Sequence, residues 1–349
     1  MNEADLKGVT GGVRSRSQPR GVVISHLLTM TRFGFDAIVL AALVCVVAGY
    51  FGATAWLLDM VTFFRPHVAA LALGLLLLAL LSRSRPRMVV GALVFAAAAY
   101  PLIVPSTPMA DPAKIGNFRV LSTNIMGGDN ADTEGYRRLV EAVTPDVVVA
   151  QEVVPEWRQT LKGLAGYPYF AGPEFRDGES SVMVASRYPI RASRLYWRDH
   201  PQQDAALGAI PLRVEILRPG AQRPLIVYAI HPPTPRSYVA WKARNVYLDE
   251  IAAHVADDLK GSDVIVVGDW NTPYWSPFFS KMLAKAGLRA SEGAWPAPTR
   301  IFREFGAPDF LGSPIDHVEV SPSIGVVGLK IGDEFGSDHL PVIADLAVP

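Results

Sequence analysis

The pattern of hydrophobic and polar positions changes character near residue 105. Residues 33–105 are mostly Ala, Leu, Val and Gly, whereas beyond Ser106 short apolar runs alternate with polar and Pro/Gly-rich stretches. The apolar part divides into three candidate spans. Residues 35–58 carry one acid, Asp36, at the edge and are long enough to cross a bilayer. Residues 61–81 are less clean, because Arg65 and Pro66 lie near the start; their core, 67–81, needs Thr62, Phe63 and Phe64 to complete a crossing. Residues 88–104 are shorter and rich in Ala. These windows are almost free of charge and lack an amphipathic face, which disfavours a buried helical hairpin of a soluble protein.

After a linker with prolines at 105, 108 and 112, the pattern predicts alternating strands and helices. FRVLSTNI (118–125) reads as a buried strand. Tyr136, Leu139, Val140 and Val143 have helical spacing, stopped by Pro145. DVVVAQEV (146–153), SVMVASR (181–187), LGAIPLRVEIL (207–217) and PLIVYAIH (224–231) read as strands. A long helix is expected over 237–259, then the strand DVIVVGD. A second helix follows from an N-cap at Ser276 to Gly287, and last come PIDHVEVS and a closing strand near LPVIADLAV. The irregular alternation, with hairpin-like pairs, favours a layered α/β sandwich of mixed sheets over a strictly doubly wound fold. There is no internal repeat. The expected organisation is a tail (1–32), a three-span anchor (33–105), a linker (106–116) and a domain (117–349) large enough to bury its own core.

Charge adds orientation. The chain is formally neutral, but residues 1–105 carry nine Lys/Arg against four Asp/Glu, and residues 106–349 carry twenty-four against twenty-nine. Lys7, Arg14, Arg16, Arg20 and Arg32 precede the first span, and Arg83, Arg85 and Arg87 separate the second from the third. The loop between the first two has only Arg65 with Asp59. The positive-inside rule then leaves the N-terminal tail and the second loop in the cytoplasm, and the third span delivers the domain to the periplasm or cell exterior. A cleavable signal peptide fits badly, since two more apolar stretches follow the first. The single cysteine, Cys45, lies in the first span, so the domain has neither disulfide nor thiolate chemistry.

Polar residues recur where apolar strands stop: Asn124, Glu152, His231, Asp269 with Asn271, Asp316, and Asp338 with His339. Ligand sites of layered α/β proteins collect at such strand ends. Carboxylates, amides and imidazoles gathered there suit metal-assisted phosphate hydrolysis, which must hold a hard cation, orient a water and stabilise charge on a phosphoryl oxygen. Singly, each residue has a plain alternative: an Asn or Asp after a strand is a turn residue or cap, and a His beside prolines, as in AIHPPTP, is a surface or satisfied core residue. Together and in this order they resemble the endonuclease/exonuclease/phosphatase superfamily. That superfamily includes pancreatic-type deoxyribonucleases, apurinic endonucleases, sphingomyelinases and inositol-polyphosphate 5-phosphatases. The chain is most similar to bacterial membrane-anchored members with N-terminal hydrophobic helices. The resemblance covers roughly residues 115–349, with GDWN (268–271) and SDH (337–339) as its specific elements.

The resemblance implies a deoxyribonuclease-like sandwich and a role for each matching residue. Glu152 in AQEV is the principal ligand of Mg²⁺ or Mn²⁺, Asn124 in STNI helps to hold the metal, and Asp338 is a further metal-side carboxylate. His231 contacts the scissile phosphate. Asp269 orients or deprotonates the attacking water, and Asn271 binds a phosphate oxygen. Asp316 in PIDHV hydrogen-bonds His339, fixing its tautomer and favouring its protonated form. Glu179, seven residues before Ser186, occupies a place where relatives carry a tyrosine or an acid near the phosphate; the alternative is a solvated loop acid beside Asp177. Trp270 is expected as a wall of the site or a core residue, Trp275 as facing substrate, and His317 on the opposite face of its strand.

The implied activity is hydrolysis of a phosphate ester, with a diester preferred, by in-line attack of water. An acidic domain argues mildly against nucleic acid, although Arg187, Arg191, Arg194 and Arg198 form either a phosphate patch or a solvated strand face. Tethering to a lipid bilayer argues mildly for a lipid-linked or envelope phosphodiester, while no apolar insertion for dipping into a membrane stands out. The alternatives are an extracytoplasmic DNA or RNA endonuclease, a transferase moving a phosphate-linked group to a lipid, and a silent binding module. A silent module predicts gaps among the polar positions, and none is missing. No protein partner is evident.

Overall fold

The computed structural model describes residues 20–173, 181–196, 208–292, 296–302 and 308–349, with residues 20–32 and 310 as backbone alone. Its framework is two mixed sheets lying face to face. The first contains β1 (Phe118–Asn124), β2 (Val147–Val153), β3 (Tyr169–Ala171), β4 (Ser181–Ser186), β10 (Gly325–Ile331) and β11 (Val342–Ala347), in the order β10-β11-β1-β2-β4-β3. The second contains β5 (Ile190–Leu195), β6 (Ala209–Ile216), β7 (Leu225–His231), β8 (Asp263–Asp269) and β9 (Asp316–Val320), in the order β5-β6-β7-β8-β9. Each sheet has one parallel pair among antiparallel ones: β1 with β2, and β7 with β8.

Side-chain alternation explains why these strands read as continuous apolar runs. In β2, Val147 and Val149 pack between the sheets, while Val148 and Ala150 pack beneath α5 (Thr133–Val143) and α6 (Pro155–Lys162). In β8, Ile265 and Val267 face the other sheet, while Val264 and Val266 face α7 (Tyr238–Asp258) and α8 (Pro277–Ala286). Both faces are covered, so no polar alternation survives. The helices begin and end where local chemistry allows. Asp132 accepts from Gly135 N–H at 2.8 Å, Ser237 caps α7 from Ala240 N–H at 3.1 Å, and left-handed Thr144 ends α5 just before Pro145. The expected mixed-sheet α/β sandwich is the observed fold. The sequence pattern did not mark β3, α6 and the half-exposed strands β5 and β10, which are short or lie at sheet edges where little apolar signal is needed.

Three apolar helical segments precede the sandwich, each long enough to cross a membrane: Phe33–Tyr50, Trp56–Leu81 and Arg85–Ile103. The first belongs to α1 (Arg20–Tyr50); the second joins α2 (Trp56–Met60), a 3₁₀ turn (Val61–Phe64) and α3 (Arg65–Leu81); the third is α4 (Arg85–Ile103). The helices meet through small residues. Ala69, Ala72, Ala79 and Ala98 are buried, and Gly91 lies so close to Leu76 that a Cβ there would sit 3.3 Å from its Cα. Leu40, Val44, Leu71, Leu77, Leu78, Val89 and Leu93 face outward, an apolar surface suited to lipid.

The first expected span was drawn too long. α1 stops at Tyr50, and the chain turns through Gly52, which passes tightly over Asp59 and Pro277. Trp56, Leu57 and Leu58 therefore begin the second segment, which lies against the sandwich. Trp56 donates to the Pro235 carbonyl at 2.8 Å, and Trp275 donates to the carbonyl of Thr62. The linker is strapped down too, with Ala110 N–H on the Ala290 carbonyl at 2.8 Å and Ala113 N–H on Val326 at 2.9 Å. One core cluster runs from residues of these apolar helices, such as Val46, Leu75 and Leu102, to Trp275 and Phe279.

Gly268, which opens the GDWN motif, is the tightest backbone position of this framework. Its φ is +143°, and a Cβ there would lie 2.0 Å from the Ile230 carbonyl oxygen, inside the β7–β8 ladder. Gly268→Ala is therefore expected to destabilise the fold by about 3 kcal/mol, roughly 6–12 °C in Tm for a domain of this size. Thermal melting of the detergent-solubilised chain checks this, and an unchanged Tm would contradict the crowding.

Candidate active site

The parallel pairs direct the ends of β1, β2, β7 and β8 to one end of the sandwich, where β9 begins and the turn before β11 passes. Asn124, Glu152, His231, Asp269, Asp316 and His339 meet there. Asn124 Nδ2 donates to Glu152 Oε1 at 3.0 Å and to Asp269 Oδ2 at 3.1 Å. His231 Nε2 lies 3.7 Å from Glu152 Oε1 and 3.5 Å from Asp269 Oδ2. His339 Nε2 lies 3.6 Å from the same Asp269 oxygen, and His339 Nδ1 hydrogen-bonds Asp316 Oδ2 at 2.8 Å.

Backbone irregularities aim these groups. The β2–β4 register shifts between Ala150 and Val153, and within that bulge Glu152 takes a left-handed conformation with φ +55°. Gly127 makes room for it: Gly127 N–H donates to the Glu152 carbonyl at 3.1 Å, and a Cβ at 127 would come within 2.2 Å of that oxygen. Asn271 is also left-handed, with φ +48°, and its N–H donates to Asp269 Oδ1 at 2.8 Å. Asp269 and Asp316 are direct cross-strand partners of β8 and β9. Ser337, whose hydroxyl donates to the Asn124 carbonyl and accepts from His339 N–H, pins the SDH turn to β1.

Burial places opposing demands on the charges. It disfavours a charged His339 ring, yet the Asp316 and Asp269 carboxylates and the Asp316 hydrogen bond outweigh it and raise the imidazole to about 9. Asp269 is pushed upward by burial and by the neighbouring Asp316 charge. For Asp316, burial works in the same upward direction, but the His339 charge and hydrogen bonds from His339 and Thr299 hold it below the usual carboxylate range. Burial likewise opposes ionisation of Glu152, and His231, the Asn124 hydrogen bond, His339 and Arg300 overcome it. Neither ring nitrogen of His231 has a hydrogen-bond partner among the described residues, although both are buried. A phosphate oxygen fits that need.

The donor set also fits a hard divalent cation. Glu152 is the half-exposed carboxylate of the group, its acidity strengthened by its neighbours, an oxygen donor that suits Mg²⁺ or Mn²⁺; Asn124 turns Nδ2 to it and Oδ1 to Met126 N–H, so the amide braces the carboxylate. Asp269, Asp316 and His339 offer ligand atoms within 4.8 Å of one another, the spacing of a metal cage. His339 Nδ1 is hydrogen-bonded to Asp316, which leaves Nε2, 3.6 Å from Asp269 Oδ2, as the ring atom facing the group.

Several expected roles change. Asp338, expected on the metal side, instead pairs with Arg300 at 2.7 Å, because adjacent residues of the turn point apart. Asn271 Nδ2 donates to the Pro232 carbonyl at 3.0 Å, so its amide braces the loop after His231 and keeps one N–H for a further acceptor. Trp275 is buried against the anchor and does not face substrate, while Trp270 is a core residue packed on Phe279 and His317. His317 lies on the opposite face from Asp316, hydrogen-bonded to the Thr272 carbonyl at 2.7 Å. Arg191 pairs with Glu215 on an exposed strand face. Glu179 and Arg198 lie outside the described residues. The sequence pattern missed Arg300, Thr299 and Ser337; only the position of PAPTR shortly before PIDHV hinted at the first two.

Residues 121–339 match the Endonuclease/Exonuclease/phosphatase family, well over half of the chain. The chain belongs to this family, whose members are generally metal-dependent phosphoester hydrolases. Solved structures share the fold. An endonuclease/exonuclease/phosphatase from Beutenbergia cavernae DSM 12333 is 22% identical, with a TM-score of 0.54 over 67% of this chain and 72% of that one. A functionally unknown conserved protein from Enterococcus faecalis V583 is 18% identical, with a TM-score of 0.55 over 66% of this chain and 100% of that one. Humanized D. rerio TDP2 is 17% identical, with a TM-score of 0.53 over 66% and 99%. No curated protein matches the chain.

The His339–Asp316 pair gives a signed pH dependence. A folded-state value raised from 6.5 to about 9 means that the pair's contribution to stability is fully present below about pH 6.5 and is lost as pH rises through 9. In chelator-treated protein, ¹⁵N NMR should show the His339 ring titrating near pH 9. Asp316→Asn should bring that midpoint down, because burial then acts with one carboxylate fewer. A midpoint left at 9 in the variant would rule out Asp316 as the dominant partner.

Proposed function

We propose that the chain is a membrane-anchored, divalent-metal-dependent phosphodiesterase acting by in-line attack of water on phosphorus. The observation that carries this reading is the convergence of His231 Nε2 and His339 Nε2 on Asp269 Oδ2, at 3.5 and 3.6 Å, with Asp316 bonded to the far nitrogen of His339 and Glu152 held beside them by Asn124. Asp269 is the group fitted to orient water and take its proton. His339, fixed by Asp316, keeps a positive charge where a phosphoryl oxygen gains negative charge. His231 offers a second contact to the phosphate. A cation held by Glu152, braced by Asn124, would supply Lewis-acid neutralisation of the phosphoryl and leaving oxygens.

The favoured substrate is a phosphodiester at the lipid surface. Three loops that frame the site also touch the anchor: Pro235 through Trp56, Trp275 through Thr62, and Phe302 stacked on Phe64 with ring centroids 6.4 Å apart. Leu57, Phe64, Tyr238 and Val239 are exposed along that edge, the aromatic and apolar mixture of a membrane interface. This edge was not visible in the sequence as an insertion, because it is assembled from the anchor and the first turn of α7. The reading places the edge at headgroup depth on the extracytoplasmic side, following the loop charges. Nucleic acid is the second reading, favoured by a fold shared with D. rerio TDP2 complexed with single strand DNA product, at 17% identity and TM-score 0.52.

The full chain in detergent is expected to hydrolyse bis(p-nitrophenyl) phosphate with Mg²⁺ or Mn²⁺ and to lose activity with chelator. Glu152→Ala, Asp269→Ala and His339→Ala should each lower kcat by roughly 10²–10⁴-fold; full activity in His339→Ala would sink the mechanism. A panel of phospholipid vesicles, RNA and plasmid DNA decides substrate, and faster turnover of nucleic acid would replace the lipid reading. Alkaline phosphatase fused after Ser106 should be active, and an inactive fusion would place the domain in the cytoplasm.

A further inference from the structure

We infer that the membrane anchor is a working part of the active site, acting through a buried ion pair that fixes the loop carrying the Asp269–Asn271 motif. Asp59, in α2 of the anchor, is fully buried, as is Arg244 in the middle of α7. Arg244 NH2 pairs with Asp59 Oδ2, which also accepts from Trp241 Nε1 at 3.0 Å. The other guanidinium nitrogen, NH1, donates to the carbonyl of Asn271 at 3.1 Å. Asp59 Oδ1 meanwhile accepts from the hydroxyl of Ser276 at 2.9 Å. One carboxylate of the anchor therefore holds both ends of the six-residue loop 271–276, one end through Arg244 and the other directly. Trp275, inside the loop, is held by the Thr62 carbonyl of the same anchor segment.

This loop needs holding. Asn271 is left-handed at φ +48°, a conformation that persists in a residue with a Cβ only where the surroundings over-determine it. Two of its three restraints, Asn271 N–H on Asp269 Oδ1 and Nδ2 on the Pro232 carbonyl, lie within the site itself. The third, Arg244 on the Asn271 carbonyl, comes from outside and depends on Asp59. Asp59 is the sole carboxylate paired with Arg244 among the described residues. Remove the Asp59 carboxylate alone and a guanidinium is left buried without its counter-charge, the most destabilising way to break such a pair. Asp59 and Arg244 are thus positioning residues: they touch no reacting atom, but they set the turn from which Asp269 works.

The inference rests on the proposal that Asp269 acts in hydrolysis, so its test includes a readout that needs no activity. The full chain in detergent is compared with Asp59→Leu/Arg244→Met, which removes both charges and keeps apolar bulk. Asp59→Asn, which keeps the shape, serves as a second variant should the double one fail to fold. Amide hydrogen exchange is followed across residues 269–276, and kcat and KM are measured on bis(p-nitrophenyl) phosphate. The expected result is exchange at least ~10-fold faster confined to 271–276, with kcat down about 10- to 100-fold and KM unchanged, the loss that small misplacement of a reacting group produces. Wild-type exchange and kcat in a folded variant would overturn the inference, leaving the pair a purely stabilising contact. Loop exchange that accelerates while even the wild type hydrolyses no diester would instead defeat the proposed activity and uphold the clamp.

Discussion

Two carboxylates side by side on adjacent strands, almost without solvent, would ordinarily repel each other enough to disrupt a sheet. Asp269 and Asp316 are in that position on β8 and β9, and the His339 imidazolium makes it tenable. Much of the surrounding structure serves this arrangement. Thr299 receives the backbone N–H of Asp316, Ser337 fixes the turn that brings His339 over, and Asn124 donates to the Asp269 oxygen that His339 approaches. The same contact that lets the sheet close separates the two acids in character. Asp316 is secured by its bond to the ring, while Asp269, pushed upward by burial and by the Asp316 charge, is the readier of the two to accept a proton.

The fold was largely legible because β1, β2, β7 and β8 are covered on both faces and so write themselves as apolar runs. The site was legible for a related reason. Asn124, Glu152, His231 and Asp269 interrupt those runs where a continuing strand would have stayed apolar, and GDWN and SDH keep a spacing that few structural turns would need. What escaped notice depends on contacts that no local pattern carries. Asp338 and His339 are neighbours in sequence, and nothing in the letters says that one turns to Arg300 and the other to Asp316. The bulge that points Glu152 into the site is a matter of register between strands. Asp59 and Arg244 are 185 positions apart. The first looked like an ordinary loop acid and the second like one more cation on a long helix.

Membership of the Endonuclease/Exonuclease/phosphatase family accounts for the sandwich and for the convergence of strand ends. It does not account for the three apolar helices, since the match begins at residue 121. In this chain the family fold has gained a helical layer on its α7–α8 side. That layer shares one apolar core with the domain and reaches its polar centre through a single buried acid. The division between anchor and domain that composition suggests is a boundary of sequence style; the packing ignores it.

The strapped linker has its own consequence. A flexible tether lets its cargo sweep a volume, at roughly 5–6 Å times the square root of its residue count, and sample whatever drifts within reach. Here Ala110 and Ala113 are stitched to the sandwich and Trp56 and Trp275 close the other side, so there is no radius to sweep. On the proposed membrane-anchored reading, the site would travel with its own helices at fixed height and tilt, and its encounters with lipid-borne targets would become a two-dimensional search.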